Sequence, residues 1–357
     1  MATEARPLVE PHAPAAPGWL RSPSFDFVFV GGAVLAALLA TVTVLVEPRL
    51  FPLVLVADMW LLGFHHVVST FTRLTFDTES FRNHRFLVLG LPWIVLAGIG
   101  VLVYKVGSWV LPTLYLYWQW FHYTRQSYGI AQIYRRKAGG LVDDPPLLQK
   151  AVIYLLPLWG ILHRSWQQAG KEHPTFLHQP IKVIPVPQLA VQIAAVAAVA
   201  GVLLWMGKQL LALRAGRLPV AYTLYMLSHI VIFSIGYLEV EDISYGWLTI
   251  NVWHNLQYIL LVWMFNNNRF RNGVDPEHRF LSTISQTNRV VPYFLVCLGI
   301  STALYFSLDS VFNALGLSVL TVSLAVYQAV NFHHYIVDGV IWKVRKRPVQ
   351  EHLGLAV

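Results

Sequence analysis

The chain has 357 residues, of which 56% are hydrophobic and only 12% are charged. A soluble globular domain carries about 25% charged residues, so this composition excludes a water-soluble protein of this size. The net charge of +8 does not indicate a nucleic-acid partner, because the basic residues lie in short segments between apolar runs. The single cysteine, Cys297, excludes a disulfide framework and a cysteine-based zinc or iron–sulfur site within the chain.

Apolar runs of about 20 residues, the length needed to cross a membrane, follow one another along the chain. They predict ten transmembrane helices, at about 27–46, 51–70, 86–106, 109–130, 151–163, 186–206, 220–238, 243–265, 290–308 and 315–337. The fifth is short and contains Pro157. The predicted fold is therefore all-α, a polytopic bundle over residues 27–342 with polar tails at 1–26 and 343–357.

The basic residues predict the orientation of these helices. If both termini are cytoplasmic, 20 Lys and Arg residues lie in cytoplasmic loops and tails and 5 lie on the opposite side. Cytoplasmic loops of membrane proteins are enriched in Lys and Arg. We therefore expect an integral membrane protein, typical of a bacterial inner membrane, with both termini in the cytoplasm.

Histidines recur inside the apolar runs, where ionisable side chains are costly and indicate a functional site. The candidates for metal ligands are His65, His66, His122, His229, His254, His333 and His334. At 1.5 Å per residue, most of them lie about 6 to 17 Å from the cytoplasmic ends of their predicted helices. The shared depth predicts one site in the cytoplasmic half of the membrane.

Polar neighbours at helical spacing accompany three of these histidines: Gln126 follows His122, Gln257 follows His254, and Asp338 follows His334. A ligating histidine usually donates its second ring N–H to a carboxylate or amide oxygen. Gln126, Gln257 and Asp338 are therefore candidate catalytic or orienting residues, and Gln257 or Asp338 could also be a ligand.

Two alternatives concern individual histidines. One member of each adjacent pair, 65–66 and 333–334, is expected to ligate while the other packs against a neighbouring helix. A lone membrane histidine often forms a hydrogen bond between helices instead, and this applies above all to His229.

The ligand set is rich in nitrogen, has some oxygen and lacks thiolate, which favours iron, copper or zinc. Non-haem iron fits best. Haem remains an alternative, and zinc is less favoured because no Glu lies beside the histidines. A metal at this depth predicts an oxidoreductase that acts with O₂ on a lipophilic substrate arriving from the membrane lipid. The alternatives are a metal-ion or proton transporter and a haem-bearing electron carrier.

Residues 331–338, Asn-Phe-His-His-Tyr-Ile-Val-Asp, resemble the last histidine motif of the Brp/Blh-type carotenoid-cleaving membrane dioxygenases. The resemblance implies non-haem iron held by four histidines on separate helices. In motif order the four would be His65 or His66, His122, His254 and His333. The chain differs from the family elsewhere, since Gly-Phe-His-His stands in place of its early Pro-His-Gly motif.

Overall fold

Ten long helices make up most of the described chain, which comprises residues 18–314 and 319–355 of the computed structural model. In chain order the helices are α1 (Pro23–Val46), α2 (Pro48–Thr75), the short α3 (Thr78–Asn83), α4 (Phe86–Val106), α5 (Val110–Lys137), α6 (Pro146–Ala169), α7 (Gln188–Arg214), α8 (Val220–Glu239), α9 (Ile243–Arg269), the short α10 (Arg279–Ile284), α11 (Val290–Ala314), α12 (Val319–Ile341) and the short α13 (Arg347–His352). Two short strands, β1 (Thr175–Phe176) and β2 (Gln179–Pro180), form an antiparallel pair between α6 and α7.

Six helical segments are long and apolar enough to cross a membrane: α1, α2, α4, α7, α8 and the segment Thr287–Ser307 around the start of α11. Their outer faces present large apolar side chains to the surroundings, such as Leu39, Trp93 and Leu203. A water-soluble protein rarely exposes apolar area on this scale. The chain is an integral membrane protein with an all-α fold.

Helix α9 is less apolar than these six helices because it lies in the interior of the bundle. Nearly all of its residues are buried, including Asn251, His254 and Gln257. A helix enclosed by other helices contacts no lipid, so it can carry polar side chains that meet partners inside the bundle. Crossing of the membrane by all ten long helices stays a prediction.

Contacts between distant loops define one end of the bundle. At this end Arg269 forms an ion pair with Asp77, the Arg136 guanidinium donates to the carbonyl of Val344 at 3.1 Å, and Asn268 donates to the carbonyl of His352. We call it the basic end, because it comprises the loop 76–85, the ends of α5, α7 and α9, and the segment 342–355, where most Lys and Arg residues lie.

At the opposite end of the bundle, the buried guanidinium of Arg164 connects α6 to the turn between α8 and α9. Arg164 on α6 donates to the carbonyls of Gly236, Val240 and Glu241, where α8 ends and turns into α9. Helix C-termini leave carbonyls without partners in the helix, and Arg164 supplies donors to them. The contact fixes the approach of α8 to α9.

Two predicted boundaries differ from those in the structure. The fifth predicted span, 151–163, is the middle of the longer α6, which accommodates Pro157 in its interior. The predicted polar tail 343–357 contains α13, and Val349, Leu353 and Leu355 bury their side chains. These apolar residues at helical spacing dock the segment on the basic end of α9.

Candidate metal centre

Four histidines from four helices meet in the interior of the bundle. They are His66 on α2, His122 on α5, His254 on α9 and His334 on α12, and all four are buried. The ring centroids of His66 and His334 are 4.5 Å apart, and those of His122 and His254 are 5.0 Å apart. With Asp338, which lies one turn after His334, these residues form what we call the His cluster.

Four of the five residues of the His cluster bring their ligand atoms together, and His254 packs its ring beside them. One ligand atom each from His66, His122, His334 and Asp338 lies within 4.8 Å of the others. The Nδ1 atom of His66, the Nε2 atom of His122 and the Nδ1 atom of His254 have no hydrogen-bond partner among the described residues. Buried nitrogens without partners are rare because they lose the hydrogen bonds of water. Ring nitrogens of His65 and His229, outside the cluster, are also without a partner among the described residues, so it is the close group of three imidazoles and one carboxylate that fits a bound metal ion.

The depth of the cluster follows from the helix lengths. The four histidines lie between 7 and 15 residues before the ends of their helices at the basic end. At 1.5 Å per residue this places them roughly 10 to 23 Å inside the bundle from that end. In α2 a π-helical stretch, Met59–Phe64, directly precedes the histidine pair. Such stretches often occur at functional sites, because they rotate the residues that follow them about the helix axis.

A hydrogen-bond network fixes the tautomer of His334. The Tyr258 hydroxyl donates to Asp338 Oδ1 at 2.7 Å, so its oxygen can only accept from Thr70, 2.7 Å away. Thr70 has thereby used its one proton and must accept from His334 Nδ1, at 2.9 Å. With Asp338 ionised, His334 is therefore protonated on Nδ1, and its Nε2 lone pair faces the cluster. This is the tautomer that a metal ligand requires.

A second polar chain lies behind His254. The Asn251 amide donates to Asp58 Oδ2 at 2.5 Å, and the Tyr123 hydroxyl donates to the Asn251 carbonyl oxygen. The Tyr123 ring lies 4.1 Å from the His254 ring, between centroids. This chain supports His254 from the side away from the basic end and contributes a second buried carboxylate.

The adjacent histidine pairs divide between two roles. His66 and His334 belong to the cluster, whereas His65 and His333 face neighbouring helices. The His65 ring packs edge-on against Phe294 at 5.3 Å, and His333 Nε2 contacts the carbonyl of Leu87 at 2.6 Å. Neighbouring positions on a helix point about 100° apart, so both members of a pair cannot face one ion. The position that the family resemblance assigned to His333 is occupied by His334.

Three other candidate residues have different surroundings. His229 accepts or donates a hydrogen bond at 2.7 Å with Ser127 and packs on Phe233, outside the cluster. Gln257 donates to the carbonyl of Phe29 on α1. Gln126 donates to the carbonyl of His254 at 3.3 Å, so it lies beside the cluster without reaching its donor atoms.

Asp58 and Thr70, and the hydrogen-bonding role of Tyr258, were not predicted from the sequence. A signal for each was present, because Thr70 and Tyr258 follow His66 and His254 by four residues, and four residues return a helix to the same face. Asp58 lies two turns before His66, and it is the only acidic residue within the predicted span 51–70. A carboxylate within an apolar run indicates function by the same argument as the histidines.

A cavity of about 630 Å³ leads from the His cluster to the basic end. At its closed end it is lined by His122, Tyr258, Tyr335 and Asp338, and aromatic side chains line its walls. Ligand sites typically have volumes of roughly 300 to 1,000 Å³ and combine apolar walls with a few polar groups. The cavity gives a small molecule access to the cluster.

No protein-family model matches the chain, and no curated protein or solved structure matches it either. The candidate site therefore rests on its own geometry.

Proposed function

We propose that the chain is a membrane-embedded oxidoreductase that holds non-haem iron in the His cluster and acts with O₂ on a lipophilic substrate. The observation that carries the proposal is the convergence of four buried imidazoles and Asp338 at the closed end of a cavity. Imidazole with a carboxylate is the ligand set of many non-haem iron oxygenases. The resemblance of residues 331–338 to the carotenoid-cleaving dioxygenases agrees with the same chemistry.

Iron, when bound, supplies the activation of O₂. The protein holds the donor atoms on four packed helices, where side chains move less than on loops. Asp338 offsets one of the two positive charges of Fe(II), and Thr70 keeps His334 in the ligating tautomer. The aromatic walls of the cavity exclude water from the reacting groups.

The balance of electrons separates two kinds of reaction. A dioxygenation that places both oxygen atoms in the product needs no external reductant. Hydroxylation or desaturation reduces one or both oxygen atoms to water and needs two electrons from a separate donor. The proposal covers both kinds, and the isotope content of the product distinguishes them.

The geometry favours this proposal over haem. The Nε2 atoms of His66 and His334 lie 2.6 Å apart. This separation leaves no room for a haem between His66 and His334, so these two residues would not hold it as a pair.

Proton or metal transport is the second candidate, favoured by the carboxylate of Asp58. The Asp58–Asn251–Tyr123 chain continues the polar interior beyond the cluster, away from the basic end. Transport predicts flux across vesicles without chemical change of any lipid. Oxygenation predicts a modified lipid and no flux.

The experiment uses the purified full-length protein supplied with Fe(II). Elemental analysis and an absorption spectrum come first, followed by incubation with a lipid extract under ¹⁸O₂ or argon. We expect about one or two irons per chain, no Soret band, and a product that forms only with O₂. That product carries two ¹⁸O atoms after dioxygenation, one after hydroxylation and none after desaturation. His178→Ala, in a loop at the opposite end, is the matched histidine control for His334→Ala. Equal turnover under argon, or a Soret band, contradicts the proposal.

A further inference from the structure

The cavity changes character along its length. Its closed end carries the His cluster, while its mouth at the basic end is lined by Arg136, Lys343 and Arg345. Arg125 lines the wall between them. Among the described residues that line the cavity, Asp338 at the closed end is the only carboxylate. A molecule in the cavity would therefore meet cations at one end and the proposed metal at the other.

One face of α5 contributes residues to both ends of the cavity, the His cluster at one end and the cations at the other. Trp118, His122, Arg125, Gly129 and Arg136 all line the cavity, and they follow each other at steps of three, four or seven residues, which keeps them on one helix face. Along the helix axis, Arg125 lies about 4.5 Å and Arg136 about 21 Å from His122. The distance from the mouth to the cluster suits an extended chain rather than a compact ion.

The four cations have only neutral partners in the described part of the chain. Arg125 donates to the Tyr154 hydroxyl at 3.3 Å, and Arg136 donates to the Val344 carbonyl at 3.1 Å. None of the four forms an ion pair with a described residue. Guanidinium groups bind carboxylate and phosphate through paired, charge-assisted hydrogen bonds. Most of their donors remain available for such a group.

Orientation in the membrane does not explain all of these charges. The excess of Lys and Arg that orients membrane helices lies in loops and near helix ends. Arg125 lies 12 residues before the end of α5, which is about 18 Å along the axis. A cation at that depth has a high energetic cost, and a residue that is kept at such a cost indicates a functional site.

We propose that the substrate is an acidic amphiphile, with a carboxylate or phosphate head bound at the mouth and an apolar chain directed toward the His cluster. The aromatic residues Trp118, Phe121 and Tyr335 on the cavity wall contact the chain, and Arg136, Lys343 and Arg345 bind the head group at the mouth. The inference rests on the proposed function for the role of the cluster, but binding of the amphiphile does not require the metal.

The test compares two ligands with the same chain and different heads, oleate and oleyl alcohol. Radiolabelled ligand is bound to the full-length protein in phosphatidylcholine nanodiscs. We expect oleate to bind at least about tenfold more tightly, since a hydrogen bond to a charged group contributes about 1.5–3 kcal/mol. Arg136→Ala should weaken oleate binding by about tenfold and leave oleyl alcohol unchanged, whereas Arg125→Ala, about 16 Å deeper along α5, should weaken it less.

Several variants separate binding from folding. Arg136→Lys keeps the charge and should retain most of the affinity. Arg345→Ala removes an exposed cation of the mouth and should weaken oleate binding. Arg214→Ala removes a cation at the same end of the bundle, outside the cavity, and should have no effect. Equal binding of oleate and oleyl alcohol, or unchanged oleate binding in Arg136→Ala, overturns the inference.

Competition identifies the source of the head group. Displacement of oleate by phosphatidylglycerol in the nanodisc supports an acidic head that belongs to a bilayer lipid, and its absence supports a free amphiphile. Displacement by millimolar inorganic phosphate alone shows recognition of a bare anion and overturns the role of the chain. Iron is measured in the same samples. If the protein binds oleate but no metal, the proposed function is contradicted and the inference about the amphiphile stands.

Discussion

The Nε2 atoms of His66 and His334 lie 2.6 Å apart, although 268 positions separate the two residues in the sequence. Thr70 holds the proton of His334 on Nδ1, so the Nε2 lone pair of His334 faces His66. The two nitrogens can share a proton donated by His66 or can share a cation. Each arrangement needs α2 and α12 to be held in register, which makes this contact sensitive to any change in the cluster.

Loss of one imidazole from the cluster should remove the metal. We expect His66→Ala, His122→Ala, His254→Ala and His334→Ala each to abolish bound iron and activity while the protein stays in the membrane. Each variant removes one donor and leaves the others buried without a partner. Iron per chain is measured by elemental analysis after gel filtration.

His65→Ala, His229→Ala and His333→Ala are the controls within the membrane domain. Their rings contact Phe294, Ser127 and Leu87 and not the cluster. These variants should keep wild-type iron, although lost packing can lower their melting temperature. Full iron in any two of the four cluster variants would exclude the proposed centre.

The side chains that support His334 should modulate the affinity for the metal, whereas the imidazoles bind it. Asp338→Asn removes the charge beside His334, whose Nε2 atom lies 3.5 Å from Asp338 Oδ2. Changes to groups that support metal ligands typically cost roughly 10- to 100-fold in affinity or activity. We expect activity to fall in this range and iron binding to recover at high Fe(II), as measured by titration.

Tyr258→Phe tests the same network through a different atom. The phenol donates to Asp338 and accepts from Thr70 and from Trp342 Nε1. Without it, Thr70 has two remaining acceptors, His334 Nδ1 at 2.9 Å and Asp338 Oδ1 at 3.5 Å. Donation to the nearer one, His334 Nδ1, moves the ring proton to Nε2 and blocks the lone pair. Iron affinity should therefore fall in Tyr258→Phe although no ligand is lost. An unchanged affinity would mean that Thr70 does not control the tautomer.

The sequence predicted the apolar runs and the histidines well because both signals are local. Lipid requires long apolar segments, and an ionisable residue within one of them is conspicuous. Which member of a pair faces the cluster depends on the rotation of the helix, and in α2 the π-helical stretch before His65 alters that rotation. No local pattern encodes it, so His65 and His66 could not be separated from sequence.

The supporting residues were harder to find for a different reason. Thr70 and Tyr258 are ordinary residues in membrane helices, and their role follows only from the packing of α2, α9 and α12 around Asp338. Gln257 had the same spacing from His254 as a supporting residue would have, yet its amide faces α1. Spacing places a side chain on a helix face and does not specify the neighbour that it meets.

At the basic end, Asp77 should contribute stability that depends on pH. Asp77 accepts from the backbone N–H groups of Glu79 and Ser80 at the start of α3 and pairs with Arg269. Burial acts to raise the pKa of Asp77, but the hydrogen bond and charge of Arg269 outweigh it, so the pKa lies below its ordinary value. A lowered pKa gives stability at neutral pH that is lost as the pH falls below about 4.

Two substitutions at Asp77 separate the cap from the charge. Asn caps helices as well as Asp, so Asp77→Asn should lose only the ion pair and its pH dependence. Asp77→Ala should lose a further amount of about 1 kcal/mol. The measurement is thermal unfolding in detergent at pH 7 and pH 3. A wild-type advantage over Asp77→Asn that does not shrink between pH 7 and pH 3 would contradict the assigned role of the charge.

The orientation of the bundle decides which compartment supplies the cavity mouth. Because 20 of the 26 Lys and Arg residues lie on one predicted side, that side should be cytoplasmic. Reporter domains fused after Lys137 and after Val357 should both report the cytoplasm, and a reporter after Gly170, in the loop at the opposite end, should report the other compartment. Alkaline phosphatase and green fluorescent protein fusions give opposite signals at each position, so a silent fusion is not misread. Phosphatase activity at Lys137 would place the Arg136 mouth outside the cell and reverse the side from which an acidic amphiphile enters.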